Sequence, residues 1–262
     1  LVYTKGQARK EKKYFSNSFG MFGEGKLCIL MDEGSASASE IVAGAIQDHD
    51  RGLIIGRRSF GKGLVQEQIP FQDGSLIRLT VSRYYTPSGR CIQKPYSGDQ
   101  QAYFSEMYLR IPEHKTDSLE KFTTANGKTV YGGGGITPDY VIESVNDSLP
   151  TNLVYLYTSD FFDNLAFDYV DKNRAQMLNV DFKDFTISNI EQQRILQQIK
   201  EWMDLEQKVS KNLDIELTQH KSQIIQRLHT LIIRQYWGWA EMQIFLNQND
   251  KFISSSLSLL KT

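Results

Sequence analysis

The chain predicts an α/β (α+β) core followed by a mostly helical C-terminal domain. Two short apolar runs, Leu27 to Met31 and Gly52 to Gly56, have the length and bounding of buried strands, and a helical apolar pattern, Ile41 to Gln47, lies between them. After about residue 148 glycine becomes scarce and helix formers dominate, beginning at Leu149-Pro-Thr-Asn152. The expected division is therefore 1–147 for the core and 148–262 for the helical domain.

In the core, strand, tight turn and helix follow in order. Gly34 supplies the turn's conformational freedom, any of Ser35, Ser37 or Ser39 could cap the helix, and Glu40 suits its positive end. The same helix start presents free N–H groups and a positive dipole end beside a hydroxyl, which suits an oxyanion as well as a cap. The second strand delivers Lys62 into the glycine-flanked loop Gly61-Lys-Gly63. A hydroxyl attacks an amide only when a base takes its proton, and a lysine serves as that base only when burial or a positive field lowers its pKa from about 10.4.

Farther along, Ser75 to Tyr85 is rich in β-formers and follows the turn Gln72-Asp-Gly74, predicting a hairpin with Leu64 to Phe71. Gln93 to Asn126 reads as mostly extended connection, and the run Gly132 to Gly135 as a flexible linker or, as the Ile136-Thr-Pro-Asp139 continuation and the resemblance given below favour, a tight structural turn. In the helical domain, Ile195, Ile199, Trp202 and Met203 share one face, as do Leu217, Ile224, Leu228, Leu231 and Ile232 within Leu213 to Trp237. Such stripes are expected to pack on the core, with Tyr236-Trp-Gly-Trp239 as anchor, and a part in oligomerisation or substrate presentation stays open.

Gly34-Ser-Ala-Ser-Ala-Ser-Glu40 with Ile41 to Asp48, followed by Gly56-Arg-Arg-Ser-Phe-Gly-Lys-Gly-Leu-Val-Gln66, closely resembles the core of the carboxy-terminal processing peptidases, or tail-specific proteases. Tyr84 to Gln93 and Tyr131 to Asp139 extend the resemblance over roughly the first 145 residues. The resemblance implies a partial ClpP/crotonase-like protease core with Ser37 as nucleophile, Lys62 as general base and Gln66 orienting the lysine. It also implies that the Ala38 N–H is one oxyanion donor and that Asp48 has a supporting role. Expected substrates are proteins or peptides with accessible C-terminal tails, expected location is the bacterial cell envelope on its periplasmic side, and no metal or organic cofactor is implied. The family's PDZ domain and its Asn-Pro-Gly-Gly segment are not found in these residues, so the expectation is a C-terminal fragment of a longer protease, with full activity only in that parent.

Two other functions compete. Gly56 to Lys62 has phosphate-loop spacing, but Gly63 stands where a magnesium-binding Ser or Thr belongs, and Leu64 to Pro70 is β-like. A noncatalytic peptide-binding or interaction domain retaining the protease sequence is the other. His49 beside Asp48 suggests a Ser-His-Asp triad only until the helix is considered, because it lies at the far end from Ser37. The remaining histidines, His114, His220 and His229, have no metal-pair spacing, and Cys28 and Cys91 have no metal or redox spacing. With 30 basic and 31 acidic residues there is no global footprint for nucleic acid, and Lys5, Arg9, Lys10, Lys12 and Lys13 read as a solvated basic loop.

Overall fold

The computed structural model describes residues 1–17, 19–96, 98, 103, 119–142, 150–206, 212–248 and 250–261. The expected boundary at 147/148, His114 and most of the stretch from 97 to 118 lie outside them. The chain divides into two compact units, Leu1–Ser144 with Lys251–Thr262, and Val145–Asp250.

The first unit contains the expected strand–helix–strand element. Strands β3 (Cys28–Met31) and β4 (Leu53–Gly56) pair in parallel with Cys28 opposite Leu53, and helix α1 (Ala38–Asp48) connects them. A third parallel strand, β9 (Tyr140–Val141), pairs with β4. The inner side chains of this sheet are apolar because helical and loop segments cover it, and Met31, Ala43, Ile54, Tyr84, Ile92 and Ile136 form one buried cluster. Gly44 allows the close approach of α1, since a Cβ there would come within 2.7 Å of Thr86 Cγ2.

A second sheet is antiparallel in the order β2-β1-β6-β5, formed by β1 (Val2–Lys5), β2 (Lys12–Tyr14), β5 (Leu64–Pro70) and β6 (Leu76–Tyr85). The predicted hairpin is present: Asp73 Oδ1 accepts from the Ser75 N–H at 2.9 Å and its hydroxyl at 2.6 Å, closing the turn. A register shift between Val65 and Gln66 interrupts the β5–β6 ladder. The basic run is exposed as expected, yet Lys5 belongs to β1 and Lys12 and Lys13 to β2, so it is a hairpin and not merely a loop. A small hairpin, β7 (Lys121–Thr123) with β8 (Thr129–Tyr131), likewise interrupts the expected extended connection. The glycine run after it is a tight turn: the Gly133 and Gly135 N–H groups donate to Cys91 and Ile92 carbonyls, and Gly135 has φ +85° with Ser59 O 2.4 Å from where a Cβ would stand.

The second unit is helical: α2 (Thr151–Thr158), α3 (Phe161–Met177), α4 (Asn189–Leu205), α5 (Leu213–Gln219), α6 (Lys221–Tyr236) and α7 (Trp239–Gln248). Ser188 and Glu191 cap α4 reciprocally, the Ser188 hydroxyl accepting from the Glu191 N–H and the Glu191 carboxylate from the Ser188 N–H. The expected apolar faces are buried, including Ile195, Ile199, Met203, Leu217, Ile224, Leu228, Leu231 and Ile232. The continuous pattern from Leu213 to Trp237 is broken at His220, which ends α5 and precedes α6, because an apolar stripe can continue across a one-residue break. Trp237 anchors its own unit, donating from Nε1 to the Val180 carbonyl at 3.2 Å and packing on Phe185, whereas Trp239 is exposed.

The final helix, α8 (Lys251–Lys261), departs from the expected 148–262 grouping by packing on β3 and β4 of the first unit. Its Phe252 ring lies 4.9 Å from the Arg57 guanidinium and would clash with any Cβ at Gly56. Amphipathic periodicity announces a covered face but not the surface that covers it.

His229 is packed between Phe185 and Phe245, with ring centroids 4.9 and 4.6 Å away. Burial lowers its pKa from 6.5, only partly opposed by its bond to the Phe185 backbone. A folded-state pKa below the unfolded one gives stability that is present above pH 6.5 and lost as pH falls through the folded value. Urea midpoints of the chain are expected to fall between pH 7.5 and 5, and His229→Gln to remove part of that fall; equal pH dependence in the two proteins would refute a neutral, buried His229.

Candidate active site

The three serines at the turn differ in their surroundings. The Ser35 hydroxyl is engaged with Asp32, donating to Oδ1 at 3.3 Å and accepting from the Asp32 N–H at 3.1 Å, and Ser39 lies on the exposed side of the first helical turn. Ser37 is the N-cap of α1, half-buried, at φ +58° and ψ −114°. For a residue with a Cβ this left-handed conformation costs roughly 1–3 kcal/mol and persists only where its surroundings enforce it. Ala38, the first helical residue, has an N–H that the helix's own ladder does not use.

The surroundings that enforce the turn converge on Glu40. Its fully buried carboxylate accepts four hydrogen bonds, two of them from Ser59 Oγ at 2.5 Å and the Gly61 N–H at 2.7 Å on Oε1. The other two reach Oε2, from the Ser37 and Lys62 N–H groups, both at 2.9 Å. The Phe60 N–H adds a bond to the Ser35 carbonyl at 2.9 Å, and Ser59 Oγ accepts from the Ile136 N–H at 2.7 Å. The turn carrying Ser37 and the loop carrying Lys62 are thus held together through one carboxylate. Sequence inspection assigned Glu40 only to the helix dipole; its position three residues after an N-cap serine was the available signal, and its partners some twenty residues away had none.

Tyr84 adds a second link. Its hydroxyl donates to the Lys62 carbonyl and interacts with the Ser37 side chain, and its pKa is raised, first by burial and then by the Glu40 charge. The Lys62 side chain itself is exposed, so the burial required of a lysine base is not met among the described residues. Gln66 is also exposed, on β5 at the register shift, and its amide is 3.5 Å from Thr80 Oγ1, not at Lys62. Lys62 and Gln66 are therefore two positions joined by an irregular strand.

Asp48 lies at the opposite end of α1, where it forms an ion pair at 2.8 Å with the fully buried Arg90 and accepts from the Ser88 N–H at 2.9 Å. Arg90 also donates to Gln47 Oε1 and the Tyr131 carbonyl, and burial lowers its pKa against the opposing Asp48 charge. Asp48 consequently supports the fold around the site without touching Ser37. His49 is the exposed C-cap of the same helix, about 1.5 Å per residue removed from Ser37, which excludes it as a triad base in this arrangement. After Lys62 the chain enters β5, so no helix N-terminus follows the loop as a phosphate-binding loop requires. Among the described residues no group of three or more His, Cys, Asp or Glu is placed to hold a metal.

Two outcomes follow from this geometry. Glu40→Gln, whose single amide oxygen cannot accept four bonds, is expected to destabilise the chain by about 3 kcal/mol and to speed amide exchange at Gly61 and Lys62. An unchanged unfolding midpoint with unchanged exchange would show that the carboxylate does not join the two segments. Because the Tyr84 pKa is raised above 10.0, stability is fully present below that pH and is lost as pH rises toward the folded value. Tyr84→Phe should therefore show a shallower loss of stability above pH 10 than the parent chain, read from paired urea titrations.

The sequence profile of peptidase family S41 matches residues 1–99, and that of a family of unknown function, DUF8443, matches residues 153–238. A carboxy-terminal-processing protease of Bartonella bacilliformis is 49% identical over 94 residues, covering 36% of this chain and 22% of that protein. The carboxy-terminal processing protease CtpB of Bacillus subtilis is 42% identical over 90 residues, covering 32% and 19%. Among solved structures, a photosystem II D1 C-terminal processing protease is 29% identical, with a TM-score of 0.36, covering 59% of this chain and 29% of that one. The chain thus spans about a fifth of the length of the curated relatives it matches. Residues 1–99 thus match peptidase family S41, and there the chain is similar to carboxy-terminal processing peptidases.

Proposed function

We propose that this chain carries part of the catalytic site of a serine-type endopeptidase that cleaves proteins near their C-termini, with Ser37 as nucleophile and Lys62 as general base. The single observation supporting it is the Glu40 carboxylate bonding the Ser37 and Lys62 backbones at once, which brings the two expected catalytic segments side by side. In this scheme the Lys62 amine takes the Ser37 proton as Oγ bonds to the scissile carbonyl carbon, and the Ala38 N–H donates to the resulting oxyanion. Collapse of the tetrahedral species breaks the C–N bond, the leaving amine receives the proton from Lys62, and water then hydrolyses the acyl-enzyme with the lysine again acting as base. Gln66 would orient the lysine only after turning away from Thr80.

Because the match covers a fifth of the relatives' length, activity is proposed for a longer polypeptide or assembly that supplies the rest of such a site, including burial of Lys62. Its substrates would be proteins with accessible C-terminal tails and its place the periplasmic side of a bacterial envelope. The exposed Lys62 side chain favours, as a second reading, a noncatalytic interaction role for this chain by itself.

The test is cleavage of an unstructured, apolar-tailed protein by the longest polypeptide containing this chain, with EDTA present, beside Ser37→Ala and Lys62→Ala. Each substitution is expected to reduce cleavage by about a thousandfold or more while leaving the unfolding midpoint in place. Normal cleavage by either variant removes that residue from the mechanism, and no cleavage by the unsubstituted protein favours the interaction role.

A further inference from the structure

We infer that the β1–β2 hairpin, Lys26 and the exposed side chains of Phe15, Phe19, Met21 and Phe22 dock this protein on an anionic bilayer surface, those apolar side chains inserting among the headgroups. These large apolar side chains follow in close succession: Phe15 is 79% exposed, Phe19 89%, Met21 fully and Phe22 59%. Exposed apolar residues scattered singly are ordinary, but several within eight residues mark a surface that meets something apolar.

The chain on either side of these residues is fixed while their apolar side chains are exposed. On one side Tyr14 pairs with Val2 in the β1–β2 ladder. On the other, Arg51 donates to the Gly25 and Gly23 carbonyls at 2.9 and 3.2 Å, with its guanidinium 5.7 Å from the Phe22 ring centroid. A loop held at both ends loses less conformational freedom on insertion than an unanchored one.

Charge selects the partner. Residues 1–26 contain Lys5, Arg9, Lys10, Lys12, Lys13 and Lys26 against Glu11 and Glu24, a side-chain charge of +4 in a chain of net −1. Two of these cations are paired, Arg9 with Glu67 and Lys13 with Glu11. Among the described residues no carboxylate pairs with Lys5, Lys10, Lys12 or Lys26. Apolar insertion and basic residues on the flanking edge strand together match an interface whose interior is hydrocarbon and whose surface carries anionic headgroups. Lysine stems can lie along the apolar boundary while their ammonium groups stay with the headgroups. Among the described residues no helix is long and apolar enough to cross a membrane.

The test is co-sedimentation of the chain with phosphatidylcholine vesicles containing one part in three phosphatidylglycerol, and with pure phosphatidylcholine vesicles. The chain is expected to partition onto the anionic vesicles at least about tenfold better, with attraction weakening as salt is added. Phe19→Ser with Met21→Ser, and separately Lys10→Glu with Lys12→Glu, should each lower partition about tenfold or more without moving the unfolding midpoint. A Phe19→Trp reporter should shift its emission to the blue on anionic vesicles. Absence of binding to anionic vesicles overturns the inference, as does undiminished binding by the Phe19 and Met21 double variant, which would leave charge alone. Binding to a single-stranded oligonucleotide in place of vesicles would reassign the surface to nucleic acid and likewise overturn it.

Discussion

A buried carboxylate without partners is among the most costly groups a fold can contain, and Glu40 avoids that cost only in one arrangement. Its four donors come from two segments separated by about one helix and one strand, so the helix start and the lysine loop must be assembled together before all four bonds form. The position in the first turn of α1 adds a favourable interaction with the positive end of the helix. Ser37's left-handed backbone then becomes tolerable, because its N–H is held by the same carboxylate that holds Lys62. The backbone geometry of the expected nucleophile is thus enforced by the carboxylate three residues farther on.

Helix α1 is clamped at its other end by a second buried charge. Arg90 is without solvent exposure, and the Asp48 carboxylate, the Gln47 amide and the Tyr131 carbonyl receive its donors. Asp48 also holds Ser88, so the turn that brings the chain from β6 toward the glycine run is fastened to the end of the helix opposite Ser37. Removing either member of this pair would leave the other buried and unpaired, which makes its role distinguishable from catalysis by its effect on stability. Glu40 and the Asp48–Arg90 pair therefore serve one end, the fixing of a single short helix relative to the loops on either side of it.

The parts of this arrangement that were legible in the sequence are those set by local chemistry. The strand lengths, the serine-rich helix start, the Asp73 turn and the apolar stripes of the second unit all follow from periodicity, capping and turn preferences, and the structure contains each. The choice among Ser35, Ser37 and Ser39 was not legible, because it depends on Asp32 engaging one hydroxyl and on a backbone angle that residue type alone does not specify. The four partners of Glu40 were hidden for the same reason, since three of them lie about twenty positions away. A lysine base requires burial or a positive field, and flanking glycines permit an inward fold without dictating one; the Lys62 side chain is exposed.

The two family matches fall on different units, residues 1–99 within the first and 153–238 within the second. Their connection is not a simple succession, because the chain leaves the first unit near residue 144 and rejoins it at Lys251 with α8. The helical unit is therefore an insertion held by two covalent connections, and α8 is separated in sequence from the sheet it packs on by that whole unit. Closing so long a loop costs only slowly increasing entropy, roughly 0.6 kcal/mol for each doubling of its length, and a folded insertion replaces most of the loop with fixed structure. Packing such as Phe252 against Gly56 and Arg57 has only that modest penalty to offset. A module with its own core can thus be accommodated inside the S41-matched unit without loss of the contact that returns the chain to the sheet.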